Sequence, residues 1–328
     1  MNVRRLIPST ALAGAVALGA VTLSACAGTS DTADKGDKGG SGGLDVVASF
    51  YPMQYLAEQI GGDHVAVDTL TKPGVEPHDL ELKPRQIGEL GDADVVLYLK
   101  GIQPAVDEAI AQAGVKNTVD AATLTTLETH GSSTGHGHGE EGHAAEEAGH
   151  HGSEAGTDPH IWLDPVKYAE VARGVGAALA KADPAHAADY TKNTDALVKK
   201  LGDLDADFRD GLKNTTTKTF ITTHSAFGYL AERYGLDQEG ISGVDPESEP
   251  SPARIKEIQD IAKKDKVSTV FFETLASDKT ARTLADDTGL KTDVLDPLEG
   301  ITDKSKGDDY LQVMRANLDA LQKALGAK

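Results

Sequence analysis

The 328-residue sequence sets 32 Lys+Arg against 52 Asp+Glu, and its formal net charge of −20 opposes binding to a polyanion such as nucleic acid. With 39% hydrophobic and 26% charged residues it has a soluble globular composition, not that of a multi-pass membrane protein, and it is long enough for two core-bearing domains. A single cysteine excludes an intrachain disulfide, and the 5% aromatic content is too low for an aromatic-rich binding sheet.

Arg4 and Arg5, followed by an apolar run through Leu12, Val16 and Leu18, read as an export signal. The run is too short, and too early interrupted by Pro8, for a stable spanning helix of about 20 residues. Leu23-Ser24-Ala25-Cys26 resembles a lipobox, which makes 1–25 a removed signal peptide and Cys26 the acylated first residue of the mature chain. An ordinary signal peptide with a chance cysteine would leave an exposed thiol in an oxidising compartment. Residues 27–43 hold six glycines and no large apolar side chain, so 26–43 is expected to be a flexible tether to the outer face of a membrane.

From Leu44 onward, short apolar runs alternate with amphipathic stretches. LDVVASF, YPMQYLAEQI, HVAVDTL, PRQIGEL, DVVLYL and PAVDEAIAQA read as strand, helix, strand, helix, strand, helix. A second set runs from KTFITT through AFGYLAERYG, LDQEGISGV, PARIKEIQDIAKK, STVFFE, KTARTLADDTG and KTDVLD. It ends in a helix with Leu311, Met314, Leu318, Leu321 and Leu325 at helical spacing. The fold class is therefore α/β, with two lobes at 44–164 and 214–328 built on mainly parallel sheets. The intervening 165–213, rich in Ala, Lys and Asp, is expected to be one or two long linking helices, although Gly174, Gly176 and Gly202 argue against a single straight rod.

Six of the eleven histidines fall in the tract 130–156: His130, His136, His138, His143, His150 and His151. Among glycines and glutamates, with no apolar residue larger than alanine, this tract reads as a loop suited to weak, many-site capture of a borderline metal, or as a low-complexity insertion without a role. Of the other histidines, His78 lies in a Pro/Gly-rich turn after a strand, His160 in DPHIWLDP, and His224 between KTFITT and a helix. In open α/β sheets ligands bind beyond the carboxyl ends of strands, so these three can converge in a crevice between the lobes. Taken singly, a histidine at a strand end more often makes a hydrogen bond than binds a metal, and the wide separations exclude a local zinc-finger site. His64 and His186 lack such turn contexts and are read as structural or solvated.

The lipobox, EPHDLELKP, the His-rich tract, DPHIWLDP, THSAFGYLAERYGL, VDPESEPSPARI and VLDPLEG occur in one order along the chain. Together they resemble the zinc-binding lipoproteins of metal ABC importers, the cluster A-I solute-binding proteins that include the high-affinity zinc-uptake binding proteins. The likeness covers essentially the whole chain. It implies two α/β lobes joined by a long helix, with one zinc ion in the cleft held by His78, His160 and His224. The fourth ligand in such proteins is a carboxylate from a late loop, or water. Here Glu299 is favoured, with Asp296, Glu273 and Glu76 as alternates.

Three imidazoles and a carboxylate suit zinc, whereas manganese prefers more oxygen; in relatives selective for manganese or iron, an acid typically stands where this chain has His224. Asp79 or Asp164 is expected to accept the imidazoles' free N–H groups. The resemblance further implies a non-enzymatic, monomeric capture protein, lipid-anchored outside the membrane, whose partners are an ABC permease and its ATPase subunit. Alternatives are an importer component for manganese or another divalent metal, a surface zinc store or adhesin, and a zinc hydrolase, the last disfavoured because no HExxH motif is present.

Overall fold

The computed structural model describes residues 43–115, 117–130 and 157–328. Cys26, the tether up to residue 42, and His136, His138, His143, His150 and His151 lie outside the described residues. Among the described residues, no helix is long and apolar enough to cross a membrane.

The first lobe contains β1 (Leu44–Ala48), α1 (Tyr51–Gly61), β2 (Val65–Thr69), α2 (Pro84–Asp92), β3 (Val95–Tyr98), α3 (Pro104–Ala113) and β4 (Thr118–Asp120). Its sheet is parallel throughout, in the order β2-β1-β3-β4, with Val46 registered against Val67 on one side and Val95 on the other. The second lobe contains β5 (Thr219–Thr222), α6 (Gly228–Tyr234), β6 (Asp237–Gly240), α7 (Pro252–Lys264), β7 (Thr269–Phe272), α8 (Lys279–Thr288), β8 (Lys291–Val294) and α9 (Tyr310–Leu325). Its parallel order, β6-β5-β7-β8, repeats that of the first. The α2, α3 and α7 helices each open with proline, where the missing N–H costs no hydrogen bond.

Between the lobes lie α4 (Pro165–Ala182) and α5 (Ala187–Gly211), joined by a 3-10 turn at Pro184–His186, so the segment is two helices packed on each other. Gly176 permits that contact: a Cβ there would stand 2.1 Å from Thr194 Oγ1 on α5. The 25 residues of α5 reach from α1 in the first lobe to α9 in the second.

The largest apolar core is not divided between the lobes. One continuous cluster runs from Val46 and Phe50 through Trp162, Tyr168 and Phe208 to Tyr229, Tyr310 and Leu325. Two smaller clusters back the outer faces of the sheets, one around Val47, Leu90 and Val96 and the other around Ile221, Ile258 and Val270. Packed interiors resist deformation, and a shared core opposes wide hinge motion between the lobes.

Candidate metal centre

The strands deliver their carboxyl ends to one crevice. His78 sits in the loop after β2, His160 opens a 3-10 turn (Ile161–Leu163) just before α4, His224 lies two residues beyond β5, and Glu299 follows β8. These four, 221 residues apart at the extremes, each bring one ligand atom to within 4.8 Å of the others. Glu299 Oε1 is the centre of the group, lying 3.3 Å from His78 Nε2, 3.2 Å from His160 Nε2 and 3.5 Å from His224 Nε2.

His160 and Glu299 are wholly buried and His224 nearly so, whereas the His78 side chain keeps 11% of its exposure and so forms the solvent-facing side. The Nε2 atoms of His160 and His224 and Glu299 Oε2 have no hydrogen-bond partner in the protein despite full burial. Unpaired buried polar atoms are costly, and here they converge on one point, with a donor set of nitrogen and oxygen that suits a borderline cation.

The buried imidazoles are held from behind. His160 Nδ1 lies 2.7 Å from Asp158 Oδ1, which also accepts the His160 backbone N–H at 2.9 Å. His224 Nδ1 lies 2.8 Å from Glu273 Oε1, which also accepts from Thr223 Oγ1. Each carboxylate fixes the ring so that Nε2 faces the crevice.

Those positions differ from the expected ones. Asp164 instead caps α4 through Val166 N–H and pairs with Arg233, while Asp79 is exposed. The local signal for Asp158 was its place two residues before His160, the spacing of a side chain that bonds its own backbone two residues on. Glu273, 49 residues from His224, had no such signal.

The remaining carboxylates take distinct places. Asp296 accepts from Leu298 N–H through one oxygen and from Thr274 and Ser305 through the other, so both its oxygens shape the loop that presents Glu299. Leu298 in that loop has φ of 59°, a left-handed conformation that is strained for a branched side chain and is held by this surrounding bonding. Glu76 Oε1 accepts the His78 backbone N–H, and its carboxylate stands within 4.8 Å of those of Glu273 and Glu299.

Burial alone would raise the Glu299 pKa, but the close imidazoles of His160, His224 and His78 hold it well below the usual carboxylate range. Burial likewise disfavours charge on His160 and His224, yet Asp158 and Glu273 respectively, each aided by Glu299, raise both imidazoles above their ordinary value. Glu76 is pushed up to about 8 by burial and then by Glu299.

His130 is the one member of the His-rich tract with a described position. It is packed against Tyr229 and bonded to Asp158 and Glu232 on the far side of Asp158 from His160, a fixed setting unlike that expected of a mobile loop residue.

Comparison with known proteins places the chain. Residues 46–324 match the family model described as "Zinc-uptake complex component A periplasmic". The Bacillus subtilis "High-affinity zinc uptake system protein ZnuA" is 40% identical over 291 residues, covering 87% of this chain and 88% of that protein. "Zinc-binding lipoprotein AdcA" of Streptococcus pneumoniae is 35% identical over 286 residues, covering 85% of this chain, which in turn spans only 55% of that longer relative. The crystal structure of the Zn(II)-bound ZnuA-like domain of Streptococcus pneumoniae AdcA superposes with a TM-score of 0.70 at 33% identity, covering 87% of this chain and 99% of that one. Its sequence across 46–324 and its paired parallel sheets place this chain in the zinc-uptake complex component A family.

Proposed function

We propose that this protein captures zinc outside the cytoplasmic membrane and hands it to an ABC permease, with His78, His160, His224 and Glu299 as the four ligands. The observation that carries the reading is the convergence of three Nε2 atoms on Glu299 Oε1 at 3.2–3.5 Å, with Asp158 and Glu273 bracing the two buried rings. Donors 3.2–3.5 Å apart have the edge spacing of a tetrahedron whose centre stands about 2.0–2.2 Å from each, the distance that zinc requires. Zinc is cargo here, and no bond of a substrate is made or broken.

His78, the solvent-facing ligand, sits in a loop without regular secondary structure, so it is the ligand through which zinc enters and leaves. The shared core under both lobes confines the accompanying change to such loops. In this reading Cys26 carries the lipid anchor, 26–43 is the tether, the His-rich tract gathers zinc ahead of the cleft, and a single copy docks on the permease and its ATPase subunit.

Zinc titration of the full chain tests the assignment. One tight equivalent is expected, weakened by more than about 100-fold in His78→Ala, in His224→Ala and in Glu299→Gln, since loss even of a residue that only supports a ligand costs about 10–100-fold. Tight binding that ignores all three substitutions, with folding verified by circular dichroism, overturns the site.

A further inference from the structure

A second cluster of ligand-type side chains stands outside the cleft. Glu128, His130 and Glu232 each bring one ligand atom to within 4.8 Å of the others. His130 Nε2 lies 2.9 Å from Glu232 Oε2 and 3.9 Å from Glu128 Oε2. Its other ring nitrogen, Nδ1, lies 2.8 Å from Oδ2 of the fully buried Asp158. This repeats the arrangement of His160 and His224, in which a buried carboxylate holds Nδ1 and leaves Nε2 to face further acids.

The position of His130 is built into the fold. Its ring stands edge-on to Tyr229, with centroids 4.4 Å apart. The Tyr229 hydroxyl accepts the Glu128 backbone N–H and donates to the Asp158 carbonyl, each at 2.8 Å. Gly228 leaves the space: a Cβ there would stand 2.4 Å from the His130 Cβ and 2.8 Å from Asp158 Oδ2. His130 and Glu232 line an open cavity of about 840 Å³ that none of the four cleft residues lines, so an ion reaches them from solvent without passing the cleft.

Charge favours a cation. Three carboxylates surround one imidazole, and the adjacent ammonium, Lys167 Nζ, is bonded to Glu128 Oε1 at 2.6 Å, leaving Oε2 directed at His130. Imidazole with carboxylates is a donor set for zinc-like borderline ions, whereas calcium and magnesium prefer all-oxygen sites.

We infer that Glu128, His130 and Glu232 form a second, weaker divalent-metal site of zinc type, on the side of Asp158 away from His160 and distinct from the cleft. Asp158 then supports an imidazole in each site, through Oδ2 to His130 and Oδ1 to His160. Glu232 keeps 63% side-chain exposure, so the ion there retains water and exchanges faster than one in the buried cleft.

The test is calorimetric zinc titration of the full chain carrying alanine at positions 136, 138, 143, 150 and 151, with one equivalent added first to fill the cleft. A second binding event is expected to persist, and to weaken at least tenfold on adding either His130→Ala or Glu232→Gln, while Glu232→Gln leaves the first equivalent within threefold. Anomalous difference maps from zinc-soaked crystals are expected to place an ion at His130 Nε2. Loss of the second event with the five alanines alone, its indifference to His130→Ala, or absence of density at His130 overturns the inference. The cleft reading fails separately, by absence of the first equivalent.

Discussion

Trp162 donates its indole N–H to the Pro297 backbone carbonyl at 2.7 Å, so the turn that carries His160 is bonded directly to the loop that carries Glu299. The Trp162 carbonyl in turn accepts from the Tyr310 hydroxyl at the start of α9. The segments of His160 and Glu299, two of the proposed ligands, are thereby held in one register.

Replacing Trp162 with Phe removes that bond and leaves a buried carbonyl unpaired. A loss of roughly 2–3 kcal/mol in stability is expected from the lost hydrogen bond and the smaller ring. A further drop of about tenfold in zinc affinity should follow from the freed Glu299 loop. Urea unfolding and zinc titration of the variant measure the two effects. Unchanged affinity would mean that the bond serves stability alone.

The two bracing acids should matter nearly as much as the ligands. Glu273→Ala is expected to weaken zinc binding by about 10–100-fold, because the His224 ring loses the acceptor that fixes its orientation. Glu273→Gln keeps an oxygen for that N–H and should lose less. Equal losses in the two variants would show that charge, not orientation, is what Glu273 supplies.

Zinc affinity should fall as pH is lowered, beginning above the ordinary histidine range. His160 and His224 have raised pKa values in the metal-free pocket, so protons compete for Nε2 at higher pH than for a free imidazole. Titrations from pH 8.5 to 5.5 in buffers of different ionisation enthalpy report both the affinity and the protons released. An affinity flat across that range would contradict protonated imidazoles in the resting pocket.

The stability of the zinc-free protein should have the opposite slope. Glu76 has a folded-state pKa of about 8, raised above its unfolded value, so its protonated form favours folding at low pH. That contribution is complete below the unfolded carboxylate range and is lost progressively as pH rises to about 8. His160 and His224, also raised, act in the same direction between about pH 6.5 and their higher folded values. Zinc-free Glu76→Gln should therefore show a weaker decline in Tm between pH 5 and 8.5 than the parent chain. Parallel Tm profiles would remove Glu76 from the account.

Gly176 should tolerate no side chain while Thr194 faces it. Gly176→Ala is expected to cost about 1–3 kcal/mol through overpacking of α4 against α5. Adding Thr194→Ala should recover much of that loss, which denaturant midpoints of the single and double variants would reveal. No recovery would place the strain elsewhere in the helix pair.

Much of the fold was legible because it is written in local periodicity. Alternation and helical spacing located seven of the eight strands among the described residues, and the helices of both lobes, to within a few residues. The missed strand, β4, is three residues long at a sheet edge, too short for a pattern and defined only by its pairing with β3. The shared core was hidden for a related reason, since periodicity shows which face of an element is apolar but not what covers it.

The site divides the same way. Residue type and turn context, read with the family resemblance, point to His78, His160, His224 and Glu299 as the proposed ligands, because donor chemistry belongs to the side chain itself, and one donor atom of each converges in the crevice. Which acid stands behind each imidazole was decided by tertiary structure: Asp158 and Glu273 took the place expected of Asp164 and Asp79, and Asp296 was engaged in its own loop. His130 left the company of its tract for a fixed pocket built by Gly228, Tyr229 and Glu232. The sequence by itself determined the elements and the supply of ligand atoms, both local properties. Only the folded chain decided which carboxylate meets which imidazole, because hydrogen bonds act over about 3 Å and no spacing along the chain specifies so short a distance across two lobes.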